Sequence, residues 1–197
     1  YRSAAGVPRC TTFCPLPARG AFGKSSMSST TSPSTAIFTK SFFFVWGTTV
    51  FYTGGAEVRL GTATKGAIGR KVSRFELWYA GMPRGGNIRV NLDNDPPVLL
   101  ATAAETLEDR WHVIDTDDGE HTLTVRAAGG GKVRAYGVVM ERDVPGVVWD
   151  EMSQIGALTR RMLNFDKEHL HRQLQRRDPN LVVFMFGGND MNTQGTM

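Results

Sequence analysis

Residues 74–79 read Arg74-Phe75-Glu76-Leu77-Trp78-Tyr79, and residues 88–92 read Ile88-Arg89-Val90-Asn91-Leu92. Apolar and polar side chains alternate in both, which puts one set on a core face and the other towards solvent. The same alternation returns in Trp111-His112-Val113-Ile114, in Thr122-Leu123-Thr124-Val125 and along Val133 to Met140. Between these stretches lie Gly54-Gly55, Pro83-Arg84-Gly85-Gly86, Asp93-Asn94-Asp95-Pro96-Pro97, Asp117-Asp118-Gly119 and Gly129-Gly130-Gly131, all of them turn chemistry. No helical period of useful length interrupts them. Residues 53–143 therefore predict an antiparallel β-sandwich of about seven strands, jelly-roll-like in class.

The pattern changes after Pro145. Residues from Trp149 to Leu163 suit one short helix, and a second carries Phe165, Leu170 and Leu174 on one face. Its other side carries Lys167, Arg172, Arg176 and Arg177. Asp166 near the start and the Arg pair near the end suit the two poles of the helix dipole. Asp178-Pro179-Asn180 stops it. Leu181-Val182-Val183-Phe184-Met185-Phe186 is apolar at every position, the pattern of a central parallel strand buried on both faces. It ends in Gly187-Gly188-Asn189-Asp190. Residues 144–197 thus predict part of a flavodoxin-like α/β unit, and ligands bind at the carboxyl ends of such strands. This piece supplies one strand of a sheet that needs several, so it is expected to pack loosely beside a folded sandwich.

Residues 1–52 read differently. They hold five Lys/Arg and no acid, which is unusual for a native globular sequence, and residues 25–35 contain nine Ser/Thr. This predicts a poorly structured basic segment. Residues 53–143 hold twelve basic and thirteen acidic residues, and residues 144–197 six of each, so the whole excess of +4 comes from the first quarter. A face that reads nucleic acid would cluster its charge on a folded element, so no nucleic-acid partner is expected. The longest apolar run is far too short to cross a bilayer, and no secretory leader is visible.

No cofactor or metal is expected. Cys10 and Cys14 have no second Cys or Cys/His pair to complete a zinc site, and they suit a local disulfide or two free thiols. His112 and His121 fall in the β region, while His169 and His171 are two apart on a helix, where a zinc pair needs i and i+4. Asp93-Asn94-Asp95 could hold Ca²⁺ but is more often a turn. Trp78, Tyr79 and Trp111 could stack on sugar rings, although aromatics in strands usually belong to the core.

Gly146 to Ala157 (G-V-V-W-D-E-M-S-Q-I-G-A), followed by Arg177 to Asp190 (R-D-P-N-L-V-V-F-M-F-G-G-N-D), resembles the middle of an SGNH (GDSL-type) serine hydrolase. The resemblance implies that Asn189 donates its side-chain amide to an oxyanion, that Gly156 donates its backbone N–H to the same oxygen, and that Gly187 sets the loop geometry. Donors already aimed at the developing charge are what such a reaction needs. One branch of that family, resembling peptidoglycan O-acetyl esterases, carries a carbohydrate-binding-module-like sandwich between its nucleophile segment and this Gly segment. Phe75 to Tyr79, Pro83 to Gly86, Val90 to Asp93 and Tyr136 to Asp150 carry that likeness.

The G-D-S nucleophile segment, expected before the sandwich, is absent: Gly23-Lys24-Ser25 lacks the Asp. The D-x-x-H base segment is expected after Asn189. Asp118-Gly119-Glu120-His121 fits that string but lies in a hairpin on the wrong side of Asn189. A serine hydrolase needs nucleophile and base within hydrogen-bond reach, so the chain is expected to be an inactive fragment of an esterase. That esterase would deacetylate a carbohydrate polymer such as peptidoglycan, in a periplasmic, envelope or secreted location that the resemblance alone implies. The alternative is a non-catalytic glycan-binding sandwich with a hydrolase remnant.

Overall fold

The computed structural model describes residues 9–15, 50–52, 54–65, 69–145 and 158–192. Among these, the strands are β1 (Arg9–Pro15), β2 (Val50–Tyr52), β3 (Glu57–Gly61), β4 (Val72–Gly81), β5 (Asn87–Leu92), β6 (Val98–Ala101), β7 (Glu108–Gly119), β8 (Thr122–Ala127) and β9 (Val133–Pro145). One α-helix, α1 (Lys167–Arg177), follows a 3₁₀ helix at Thr159–Asn164, and a 3₁₀ turn lies at Asp190–Asn192.

The strands form two antiparallel sheets. The first runs β1-β9-β4-β7, with β2 also on β9, and the second runs β3-β8-β5-β6. Together with α1 this gives the mixed, β-rich class expected from the alternation. The five alternating stretches all lie in strands: 74–79 in β4, 88–92 in β5, 111–114 in β7, 122–125 in β8 and 133–140 in β9. Strands β1 and β2 come from the acid-free segment in which the sequence shows no regular pattern, and Cys10 and Cys14 fall within β1.

The core lies between the sheets. Val58, Leu60, Ile88, Val90, Leu123 and Val125 face inward from the second sheet and meet Phe75, Leu77, Val133 and Val138 of the first. At one end the backbones close tightly: a Cβ on Gly86 would stand 2.4 Å from the Gly131 carbonyl oxygen, so only glycine fits there.

Strand β4 departs from simple alternation. Every residue from Phe75 to Gly81 is buried, because the first sheet is covered on its outer face too. Trp78, Ala80, Tyr136 and Val139 form a second cluster there, against Phe165, Leu170 and Leu174 of the α1 region. A bulge helps to build it. Trp78 pairs with Gly137 and Tyr79 with Ala135, which leaves Tyr136 as the extra residue of β9. Bulges re-aim side chains, and Tyr136 is turned to the helix side.

Two expectations for the C-terminal piece are corrected. The helix is not loosely packed, since His169 and Gln173 on it are buried. Leu181–Phe186 is not a buried strand: it forms no ladder among the described residues, and its side chains stand in solvent, with Met185 at 92% exposure. A strand buried on both faces needs hydrogen-bonding neighbours and covering layers. The described residues offer it neither. Of the short helix expected over 149–163, residues 149–157 lie outside the described residues, and the described part is the 3₁₀ helix at Thr159–Asn164.

Candidate functional site

The turn that follows Phe186 is built by backbone geometry. Gly187 has φ +113, in the left-handed region, and a Cβ there would meet nothing within 4 Å. The requirement for glycine is therefore conformational rather than steric. The Met191 N–H donates to the Gly187 carbonyl at 3.2 Å and closes the turn. Asn189 stands exposed at its tip.

Asp190 fixes this turn to a distant part of the chain. Its carboxylate accepts from the Thr159 N–H at 3.0 and 3.2 Å and from the Thr159 hydroxyl at 2.9 Å. The first N–H groups of a helix have no partner within it, so a carboxylate placed there satisfies a donor and suits the local positive pole. The contact joins residues 31 apart in sequence. Thr159 is three positions beyond Gly156 in the sequence, and the turn that carries Asn189 is tied to Thr159. Gly156 itself lies outside the described residues. The sequence reading missed the contact between Asp190 and Thr159, since no local pattern links residues 31 positions apart.

A second polar constellation seats α1 on the first sheet. Asp166 caps the helix by accepting from the His169 N–H at 2.7 Å, and Asp178 ends it in the left-handed region at φ +49. The cations on the polar side of α1 reach down to carboxylates on the sheet. Arg172 Nε donates to Asp109 at 2.8 Å, Arg176 Nε to Glu76 at 2.8 Å, and Arg177 to Glu141 at 2.6 Å. Arg176 also lies over the Trp111 ring, 5.3 Å from its centroid.

Asp109 is the centre of this seat. Its side chain is 4% exposed, and it meets His169 Nδ1 at 2.9 Å as well as Arg172. Burial alone would raise its pKa, but the hydrogen bonds from His169 and Arg172 outweigh that and hold it below the usual carboxylate value. Tyr136 packs edge-on to His169, with ring centroids 5.4 Å apart. Burial, then the Asp109 charge, push the Tyr136 phenol well above its ordinary pKa, so it stays protonated. A buried Asp–His–Tyr set is reminiscent of proton-transfer chemistry, but here its partners hold a helix to a sheet.

The remaining residues singled out in sequence have structural surroundings. Trp78 and Tyr79 are core residues at 1% and 7% exposure, and Trp111 lies under Arg176, so these aromatics form no open sugar platform. The Asp118–His121 string is a hairpin connection. His121 Nδ1 meets Asp93 Oδ2 at 2.7 Å, and its Nε2 meets the Asp117 carbonyl at 2.8 Å. Asp93 also accepts from the Thr122 N–H at 2.7 Å, so the 93–95 turn spends that carboxylate on the hairpin beside it. No helix among the described residues is long and apolar enough to cross a membrane.

No protein-family profile and no curated protein matches this sequence. Solved structures do. The chain aligns over 100% of its length with a peptidoglycan O-acetylesterase, at a TM-score of 0.56 and 17% identity, and covers 46% of that protein. It also aligns in part with a family two carbohydrate esterase from Cellvibrio japonicus: TM-score 0.39, 15% identity, 50% of this chain and 29% of that one. A two-domain esterase active on acetylated mannans gives a TM-score of 0.38 at 12% identity, over 49% of this chain and 28% of that one. The chain therefore shares a fold with part of the O-acetylesterase and spans less than half of its length.

Proposed function

We propose that these 197 residues are the central part of an SGNH-type serine esterase that removes acyl groups, chiefly acetyl, from a carbohydrate polymer such as peptidoglycan. In this reading residues 53–143 are a carbohydrate-binding-module-like sandwich and residues 144–197 part of the hydrolase domain, with residues 1–52 a basic segment before them. Asn189 donates its amide to the oxyanion of the tetrahedral intermediate and Gly156 its backbone N–H. Gly187 shapes the turn. The nucleophilic serine and the histidine base belong to segments outside this chain, and the location is the cell envelope or beyond.

The observation that carries this reading is the Asp190–Thr159 tie. It anchors the Gly187–Asn189 turn to Thr159, three positions after Gly156 in the sequence, and a two-donor oxyanion hole needs these two segments to meet. The alignment of this whole chain with 46% of the O-acetylesterase supports it. An Asn amide is a neutral donor that pH cannot remove, and glycine permits close approach of backbone to a reacting carbonyl.

Sequencing the source DNA on either side of this reading frame tests the proposal. A G-D-S segment upstream and a D-x-x-H segment downstream are expected, and the protein containing both should release acetate from O-acetylated peptidoglycan. The 197-residue chain alone should release none. Finding neither motif, or finding ester hydrolysis by the chain alone, would overturn it.

A further inference from the structure

The outer face of the second sheet carries a charge arrangement that nothing in the fold requires. Arg89 on β5 stands directly opposite Arg126 on β8, and Leu99 on β6 stands opposite Arg89. Both arginines are exposed, as their positions between inward-facing Ile88, Val90, Val125 and Ala127 dictate. Like charges directly opposite on a sheet face repel and weaken the pairing. The residue opposite Arg126 on its other side is Glu57, but the Glu57 carboxylate lies 3.3 Å from Arg59 Nε. Among the described residues neither Arg89 nor Arg126 makes an ion pair, whereas Arg74, Arg110, Arg142, Arg172, Arg176 and Arg177 all do.

We infer that this face binds a carboxylate-bearing polysaccharide, with Arg89 and Arg126 each taking a carboxylate. The planar guanidinium fork matches a carboxylate with two parallel hydrogen bonds. Asn91 and Thr124, directly opposite each other in the neighbouring row, are neutral; Thr124 suits a sugar hydroxyl, while the Asn91 amide nitrogen already donates to the Asp95 carbonyl at 3.2 Å. Leu99, 60% exposed beside Arg89, offers an apolar surface to the C–H face of a ring. The occupant is an acidic glycan rather than a nucleic acid because the charge is local. Residues 53–143 carry one more acid than base, so no extended positive field tracks a phosphate backbone. This inference rests on the carbohydrate-binding reading of residues 53–143 and not on the ester chemistry.

Affinity electrophoresis of the 197-residue chain tests it, in gels holding polygalacturonate, the same polymer fully methyl-esterified, or polythymidylate. The chain should be retarded by polygalacturonate and by neither of the others. Arg89→Gln and Arg126→Gln should each weaken the retardation roughly tenfold, and the double variant should lose it. The thermal midpoint of the double variant should not fall, since a repulsion has been removed. Absent retardation, equal retardation by the esterified polymer, or stronger retardation by polythymidylate would overturn the inference. So would wild-type retardation of the double variant, which would assign the effect to the basic residues 1–52.

Discussion

His121 shows how a single side chain joins two loops. Both of its ring nitrogens face acceptors, the Asp93 carboxylate and the Asp117 carbonyl, and only the doubly protonated imidazolium can donate to both. Burial lowers its pKa, but the hydrogen bonds it donates to Asp93 and Asp117 outweigh that and raise it. The contribution to stability is therefore full below the unfolded value of about 6.5 and is lost as pH rises through the higher folded value. NMR titration of the His121 ring should give a midpoint above that of an unfolded histidine, falling in Asp93→Asn. A midpoint at or below the unfolded value would contradict the assignment. Gln173 presents the opposite situation: it is 1% exposed, and neither amide atom has a hydrogen-bond partner among the described residues. A buried amide without partners is costly, so Gln173→Met should stabilise the chain by about 1–2 kcal/mol. Urea titration checks this, and a lower midpoint would mean that the amide is satisfied.

At the scale of elements, helix α1 was readable and its seat was not. The helical spacing of Leu170 and Leu174, a carboxylate at Asp166 near the start and the Asp178 stop are local signals, and the structure keeps all three, with Asp166 as the N-cap. Its ion pairs are not local. Arg176 meets Glu76 across 100 positions and Arg172 meets Asp109 across 63, which no periodicity encodes. Strands β4, β5, β7, β8 and β9 announced themselves by alternation, whereas the short β3 and β6 were not read as strands. β1 and β2 carried no such pattern, and β4 is buried on both faces only because α1 covers it. Asp109→Asn should loosen the helix by about 2 kcal/mol, as His169 and Arg172 lose a charged acceptor. Hydrogen exchange of the α1 amides should then quicken roughly thirtyfold, while the sandwich core keeps its protection. Because the folded pKa of Asp109 is depressed, its contribution is full above the ordinary carboxylate value of about 4 and fades as pH falls through the lower folded value. Exchange in α1 that ignores both the substitution and acid would show that Asp109 does not hold the helix.

For the whole molecule, the exposed run from Leu181 to Phe186 sets the chain's behaviour in solution. Leu181, Val183, Phe184 and Met185 are each more than half exposed, forming a contiguous apolar strip of a kind soluble monomers seldom leave open. The chain should bind the hydrophobic dye ANS through this strip. Phe184→Glu should reduce that signal without changing the β-sheet circular dichroism, and an unchanged signal would place the dye elsewhere. Apolarity at every position was read as a strand buried on both faces, and the structure leaves the run exposed. Whether such a run is buried depends on neighbours that these six residues cannot specify. The same separation governs the candidate site. The glycine-rich turn and its Asn were visible as a motif, whereas the Asp190–Thr159 contact that anchors them needed the fold.

The most direct test is the kinetics of Asn189→Ala in the protein that joins these residues to the nucleophile and base segments. Loss of one oxyanion donor should lower kcat by about 10²–10³-fold on an acetyl ester and leave KM nearly unchanged. A kcat equal to that of the parent protein would remove Asn189 from the site and with it the central claim.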